Sequence, residues 1–127
     1  MLQEPVPCEV KELLENQQLN GVPVLLSTTS DLSLTGDLHA HWIVVTRDHL
    51  AVVVDGSKPR LIHHFTLGRV EQFRTYGAIG SGFLQAYVDD AWVDVARYSN
   101  TLATRFHRLA EKLEGLRTGS DIVVHPE

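Results

Sequence analysis

Cysteine is nearly absent from this 127-residue sequence: Cys8 stands alone. One thiol excludes an internal disulfide and a zinc site built from cysteines. Nothing in Pro7-Cys8-Glu9 would activate it, so it reads as an inert thiol and fits a reducing compartment. Basic residues are also scarce, with 11 Lys and Arg against 16 Asp and Glu and a formal net charge of −5. That balance argues against nucleic acid and anionic lipid as partners, because both call for a basic stripe. Arg97, Arg105, Arg108, Lys112 and Arg117 do gather near the C-terminal end, but Glu111 and Glu114 sit among them, and the group reads as a solvated helix face. No apolar run exceeds five residues (Val22 to Leu26, counting Pro23), far short of the roughly 20 that span a bilayer. No basic-then-apolar leader opens the chain, and Met1 to Pro7 contains Glu4. Internal repeats, low-complexity tracts and a Gly-x-x-x-x-Gly-Lys-Ser/Thr phosphate loop are all missing.

What remains is an ordinary globular composition, 43% hydrophobic and 21% charged, in a length that suits one core. Cys8 to Leu19 carries apolar residues at 10, 13 and 14 and predicts a short amphipathic helix, with Glu9 and Glu12 placed early and Asn20-Gly21 stopping it. Strands are predicted over Val24 to Thr29, His39 to Thr46, His49 to Val54, Arg60 to Leu67, Val70 to Tyr76, Phe83 to Val88 and Ala91 to Tyr98. Ser30 to Asp37 reads as a polar loop and Gly77 to Gly82 as a glycine loop. A two-residue turn at Arg47-Asp48 would set Val45 opposite Leu50 and Ile43 opposite Val52, all on the core face. A second turn at Asp89-Asp90 would pair Val88 with Ala91, Ala86 with Val93 and Leu84 with Val95. The opposite face would then carry Tyr87 across from Trp92, with Phe83 further along.

The final strand gives way to a helix with only Ser99 and Asn100 between them, either of which suits an N-cap. Leu102, Phe106, Leu109, Leu113 and Leu116 form one apolar stripe, and Gly115 or Gly119 supplies the stop. Seven short antiparallel strands followed by one striped helix predict a partly open barrel whose open end the helix plugs. The predicted organisation is an N-terminal helical segment (1–19), the barrel with its helix (20–117) and a tail or linker (118–127).

Four constellations carry candidate chemistry. His39-x-His41 places two imidazoles on one face of a strand, the spacing of zinc ligands, and His49, His63 and His64 would lie on neighbouring strands. No carboxylate stands at a fixed offset, so the favoured reading is rim histidines without a metal. Ser30, His63 and Asp89 can be assembled into a hydrolytic triad, but there is no Gly-x-Ser-x-Gly elbow to support it. The loop Gly77-Ala-Ile-Gly80-Ser-Gly82 lacks the glycine order of a phosphate cradle. The aromatic face of Phe83, Tyr87 and Trp92 is either packed under the N-terminal helix or exposed as a docking patch.

Seven strands capped by a C-terminal helix resemble the pleckstrin-homology-like (PH-like) layout. The local pattern is similar to bacterial members in Trp42-Ile-Val-Val-Thr46 with Leu50-Ala-Val52, and in Phe65-Thr-Leu67 leading to Val70 and Phe73. More narrowly, Arg97-Tyr-Ser-Asn100 running into a helix with Phe and Leu at this spacing resembles the N-terminal segment of certain bacterial ABC exporters. The likeness spans roughly residues 20–117 and lies mostly in core and cap positions. It implies a non-catalytic interaction or regulatory module, cytoplasmic and attached to the inner membrane through a parent chain. Membrane-spanning and nucleotide-binding parts, with their ATP and magnesium, would follow Glu127. Its partner would be a protein or another domain of that parent, or a second copy as a homodimer. Phosphoinositide binding is not expected, because Ser27 to Leu38, the equivalent of the lipid-binding loop, has no Lys or Arg and two Asp. No cofactor is expected within the chain. The competing expectation is a free-standing small protein that binds a metal or small ligand through its histidines, or a small enzyme.

Overall fold

β-branched and aromatic residues at intervals of two build most of the molecule. The computed structural model describes residues 3–16, 24–56 and 58–118. Its elements are α1 (Cys8–Asn16), β1 (Leu26–Leu32), β2 (Leu38–Val45), β3 (His49–Val54), β4 (Arg60–Thr66), β5 (Gln72–Ala78), β6 (Ser81–Val88), β7 (Ala91–Ser99) and α2 (Ala103–Thr118). Single 3-10 turns at Leu67–Arg69 and Asn100–Leu102 precede β5 and α2. All seven strands join one antiparallel sheet in the order β4-β3-β2-β1-β7-β6-β5. β1–β4 and β5–β7 are two meanders joined where Leu32 of β1 meets Arg97 of β7. β4 and β5 are the edges, so the sheet does not close on itself. Among the described residues no helix is long and apolar enough to cross a membrane.

The β2–β3 hairpin has the expected register, with Val45 opposite Leu50 and Ile43 opposite Val52. All four belong to the main core with Leu84, Ala86, Val95 and Phe73. α2 completes that core with Phe106, Leu109 and Leu113, each fully buried. Burying side chains of this size stabilises the fold by about 1.5–3 kcal/mol apiece. The predicted stripe therefore does cover the sheet's inner side, and Leu102 and Leu116 pack at its margins.

The alternate residues of the same hairpin, Trp42, Val44, Ala51 and Val53, face the other way, where Val10 and Leu14 of α1 cover them. The segment before α1 is pinned beside β1: the Glu4 amide donates to the Ser27 carbonyl at 2.9 Å. The Glu4 carboxylate accepts from Thr28 Oγ1 at 2.6 Å and lies 3.6 Å from Arg105.

Several boundaries differ from expectation for local reasons. β1 ends at Leu32, not Thr29, because its polar residues find partners: Ser30 pairs with His41, and the Asp31 carboxylate accepts from the Ser99 amide at 2.9 Å and its hydroxyl at 2.5 Å. Ser99 is thereby engaged in the sheet and makes no side-chain cap, and a 3-10 turn starts the helix instead. β5 begins at Gln72, because Val70 closes the 3-10 turn onto the Leu67 carbonyl at 3.1 Å. β5 also runs on to Ala78, which shrinks the expected glycine loop to a two-residue turn at Ile79-Gly80, with Gly80 at φ 77°. In β6–β7 a bulge pairs Leu84 with Ala96, not Val95, and both Val95 and Ala96 are buried. α2 passes Gly115 and reaches Thr118. The expected stops at Asn20-Gly21 and Gly119, and most of the 118–127 tail, lie outside the described residues.

Candidate functional site

Alternation along β5, β6 and β7 sends Phe73, Leu84 and Ala86 to the core and leaves the intervening residues on the outer face. The register arranges these as three rows: Gln72–Tyr87–Trp92, Arg74–Gln85–Asp94 and Tyr76–Phe83–Arg97. The middle row is a hydrogen-bonded chain in which Arg74 Nε donates to Gln85 Oε1 and Gln85 Nε2 to Asp94 Oδ1, each at 2.8 Å. The Arg74 guanidinium carbon lies 3.8 Å from the Trp92 ring centroid and 5.7 Å from that of Tyr76. Tyr87 and Trp92 meet at 5.1 Å with their planes tilted by 58°. At the far end Arg97 lies 5.0 Å from the Phe83 ring and donates to Ser81 Oγ at 3.2 Å. Its guanidinium also sits against the β1–β2 loop, where a Cβ on Gly36 would come within 2.7 Å of Nη1.

Phe83, Tyr87 and Trp92 are thus brought onto one face, half-buried by their neighbours. α1 does not cover them; it lies on the outer side of β2–β3, where four apolar residues offer a better seat than a face broken by Arg, Gln and Asp. Sequence reasoning missed Arg74, Tyr76, Gln85, Asp94 and Arg97 as members of this surface. The period-two pattern of β5 held the signal for Arg74 and Tyr76, but the bulge hid the register of Arg97.

The histidines divide into separate places. His39 and His41 have ring centroids 5.4 Å apart, and one nitrogen of each faces a main-chain carbonyl: His41 Nδ1 lies 3.0 Å from the His39 oxygen, and His39 Nε2 lies 3.4 Å from that of Asp55. Among the described residues no three His, Cys, Asp or Glu side chains assemble into a metal-binding group. His41 and His63 line a cavity of about 10 Å³ with Ser30, Val52, Val95 and Arg97, room for a single water. Burial pushes both imidazoles below their ordinary pKa, with Asp94 opposing the shift at His63. His63 Nε2 is buried with no hydrogen-bond partner among the described residues. Ser30 reaches the same cavity, but Asp89 sits in the β6–β7 turn beside Arg69 at 3.6 Å, so the triad imagined from sequence does not form. Cys8 is exposed at the start of α1.

A wider groove of about 550 Å³ runs between the β5 edge and α2, lined by Phe73, Arg74, Thr75, His107, Ala110 and Glu114 among others. Glu114 Oε2 accepts from the Phe73 amide at 2.6 Å, so a helix carboxylate already occupies one edge donor of β5. Of the basic cluster read as a helix face, Arg97 belongs to the sheet and Arg105 reaches Glu4. In comparisons with known proteins the chain matches no family model and no curated sequence.

Proposed function

We propose that this chain is a PH-like, non-catalytic interaction module in the cytoplasmic N-terminal region of a bacterial ABC exporter. In this reading it docks on another domain of the parent chain through the outer face of β5–β7. One observation carries the docking surface: the sheet's outer side has two halves, and α1 covers only the one built of Trp42, Val44, Ala51 and Val53. The other half presents Phe83, Tyr87 and Trp92 among arginines already fixed by stacking and hydrogen bonds. Aromatic side chains and Arg are the types enriched in protein interfaces, and prefixed arginines lose less freedom on binding. The seven-stranded open sheet with α2 on its inner side supports the PH-like reading. The exporter context rests on the sequence likeness of Arg97 to Leu113.

Two measurements test it. An antibody against the chain should detect, in the membrane fraction of the source cell, a polypeptide several times larger than 14.2 kDa; a soluble band near that mass would refute the exporter context. Trp92→Glu should keep the fold and abolish association with the rest of the parent. Retained association would refute the docking face, and association of two copies of the isolated domain would point to a homodimer.

A further inference from the structure

Two imidazoles meet on the outer side of the sheet at its β4 edge. His49 opens β3 and His64 lies in β4, and the register pairs Ala51 with His64 and His49 with Thr66. They are therefore diagonal neighbours on adjacent strands, with rings 4.8 Å apart and His64 Nε2 3.0 Å from His49 Nδ1. Both stand on paired strands, and the His49 amide is anchored to Thr46 Oγ1 at 3.2 Å, so the two backbone positions are fixed. His64 is exposed and His49 half-buried, which leaves the pair open to solvent.

We propose that His49 and His64 form a bidentate chelate for a divalent transition metal, Cu²⁺ or Ni²⁺, with water in the remaining positions. Nitrogens 3.0 Å apart converge on one ion at metal–nitrogen bonds of about 2.0–2.1 Å once the rings rotate out of their mutual hydrogen bond. Imidazole suits Cu²⁺ and Ni²⁺, and Cu²⁺ heads the affinity order for such donors. Binding replaces the hydrogen bond between the rings, and the ring that donated moves its N–H to its other nitrogen, so a neutral pair releases no net proton. The pair expected from sequence, His39 and His41, has its rings further apart, at 5.4 Å.

The test is a Cu²⁺ titration of the 127-residue chain carrying Cys8→Ser, which removes the competing thiol, followed by calorimetry and electron paramagnetic resonance. One equivalent should bind with a tetragonal spectrum showing two nitrogen ligands. His64→Ala and His49→Ala should each weaken binding at least tenfold, the double variant should lose little more, and His39→Ala should change nothing. His64 is exposed, so its alanine variant should fold normally, and a native circular dichroism spectrum checks this. Equal affinity in His64→Ala and the parent, or an equal loss in His39→Ala, would overturn the proposal.

Discussion

Gly77 and Gly82 face each other across β5 and β6, yet alanine at the two positions should move stability in opposite directions. A Cβ on Gly82 would lie 2.6 Å from Cζ and Oη of Tyr98, the residue paired with it on β7. The Tyr98 ring cannot swing away: it is 2% exposed and stacks on Phe106 at 4.4 Å and 13°. Overpacking of this kind costs about 1–3 kcal/mol. Replacing a strand glycine with alanine returns about 0.5–1 kcal/mol of backbone entropy. Neither glycine has a positive φ, so sterics decide the outcome. With the ring locked, the cost falls toward the upper part of that range, and Gly82→Ala should therefore destabilise on balance, by up to about 2.5 kcal/mol. At Gly77 nothing lies within 4 Å of the added Cβ, and alanine should stabilise by about 0.5–1 kcal/mol. With a urea slope of about 1–3 kcal/mol per molar, the two midpoints should separate by roughly 1 M at equal slopes. Coincident midpoints, or a Gly82→Ala midpoint at or above that of the parent, would refute the argument that Tyr98 is locked over a glycine.

Phe106→Ala removes a fully buried ring stacked on Tyr98 and should cost about 3–5 kcal/mol in urea unfolding. Asp31→Ala leaves the Ser99 amide and hydroxyl without their shared acceptor and should cost about 1–3 kcal/mol, with exchange of the Ser99 amide accelerated. His41 and His63 are held below the ordinary imidazole value of 6.5 by burial. The unfolded chain then binds more protons than the folded one, so their contribution is complete above that value and is lost as pH falls through the lowered folded pKa values. Unfolding of the parent and of His63→Phe at pH 7.5 and 5.5 should show a smaller acid loss in the variant, and an equal loss would dismiss His63 as a source.

Features that depend on near neighbours were legible in the sequence. The β2–β3 register, the facing of Tyr87 by Trp92, the stripe of α2 and the existence of seven strands all follow from period and turn spacing. Features that depend on distant partners were not. Asp31 reads as a loop residue until β7 brings Ser99 to it. The bulge near Leu84 adds one residue to β7 with no mark in the period, so it shifted one predicted pair and concealed where Arg97 would stand. α1 was assigned its apolar face correctly, but an amphipathic face does not name its seat. His49 and His64 are fifteen positions apart, and only the β3–β4 register brings their rings together, whereas His39-x-His41 was conspicuous in sequence but holds its rings 5.4 Å apart.

The two halves of the outer face explain each other. On β2–β3 the outward residues are Trp42, Val44, Ala51 and Val53, and the one polar atom among those side chains, Trp42 Nε1, donates to Asp55 at 3.2 Å. Such a surface is stable only when covered, and α1 covers it. On β5–β7 the outward residues alternate aromatics with Arg74, Gln85, Asp94 and Arg97, whose polar groups bond within the plane of the face. This half can stand in water, because the guanidinium groups shield the rings and remain hydrated at their edges. A partner laid on it would bury ring surface without first having to break the Arg74–Gln85–Asp94 chain. Coverage of the first half thus belongs to the core of the fold, while coverage of the second is left free to be reversible, as the proposed docking would require.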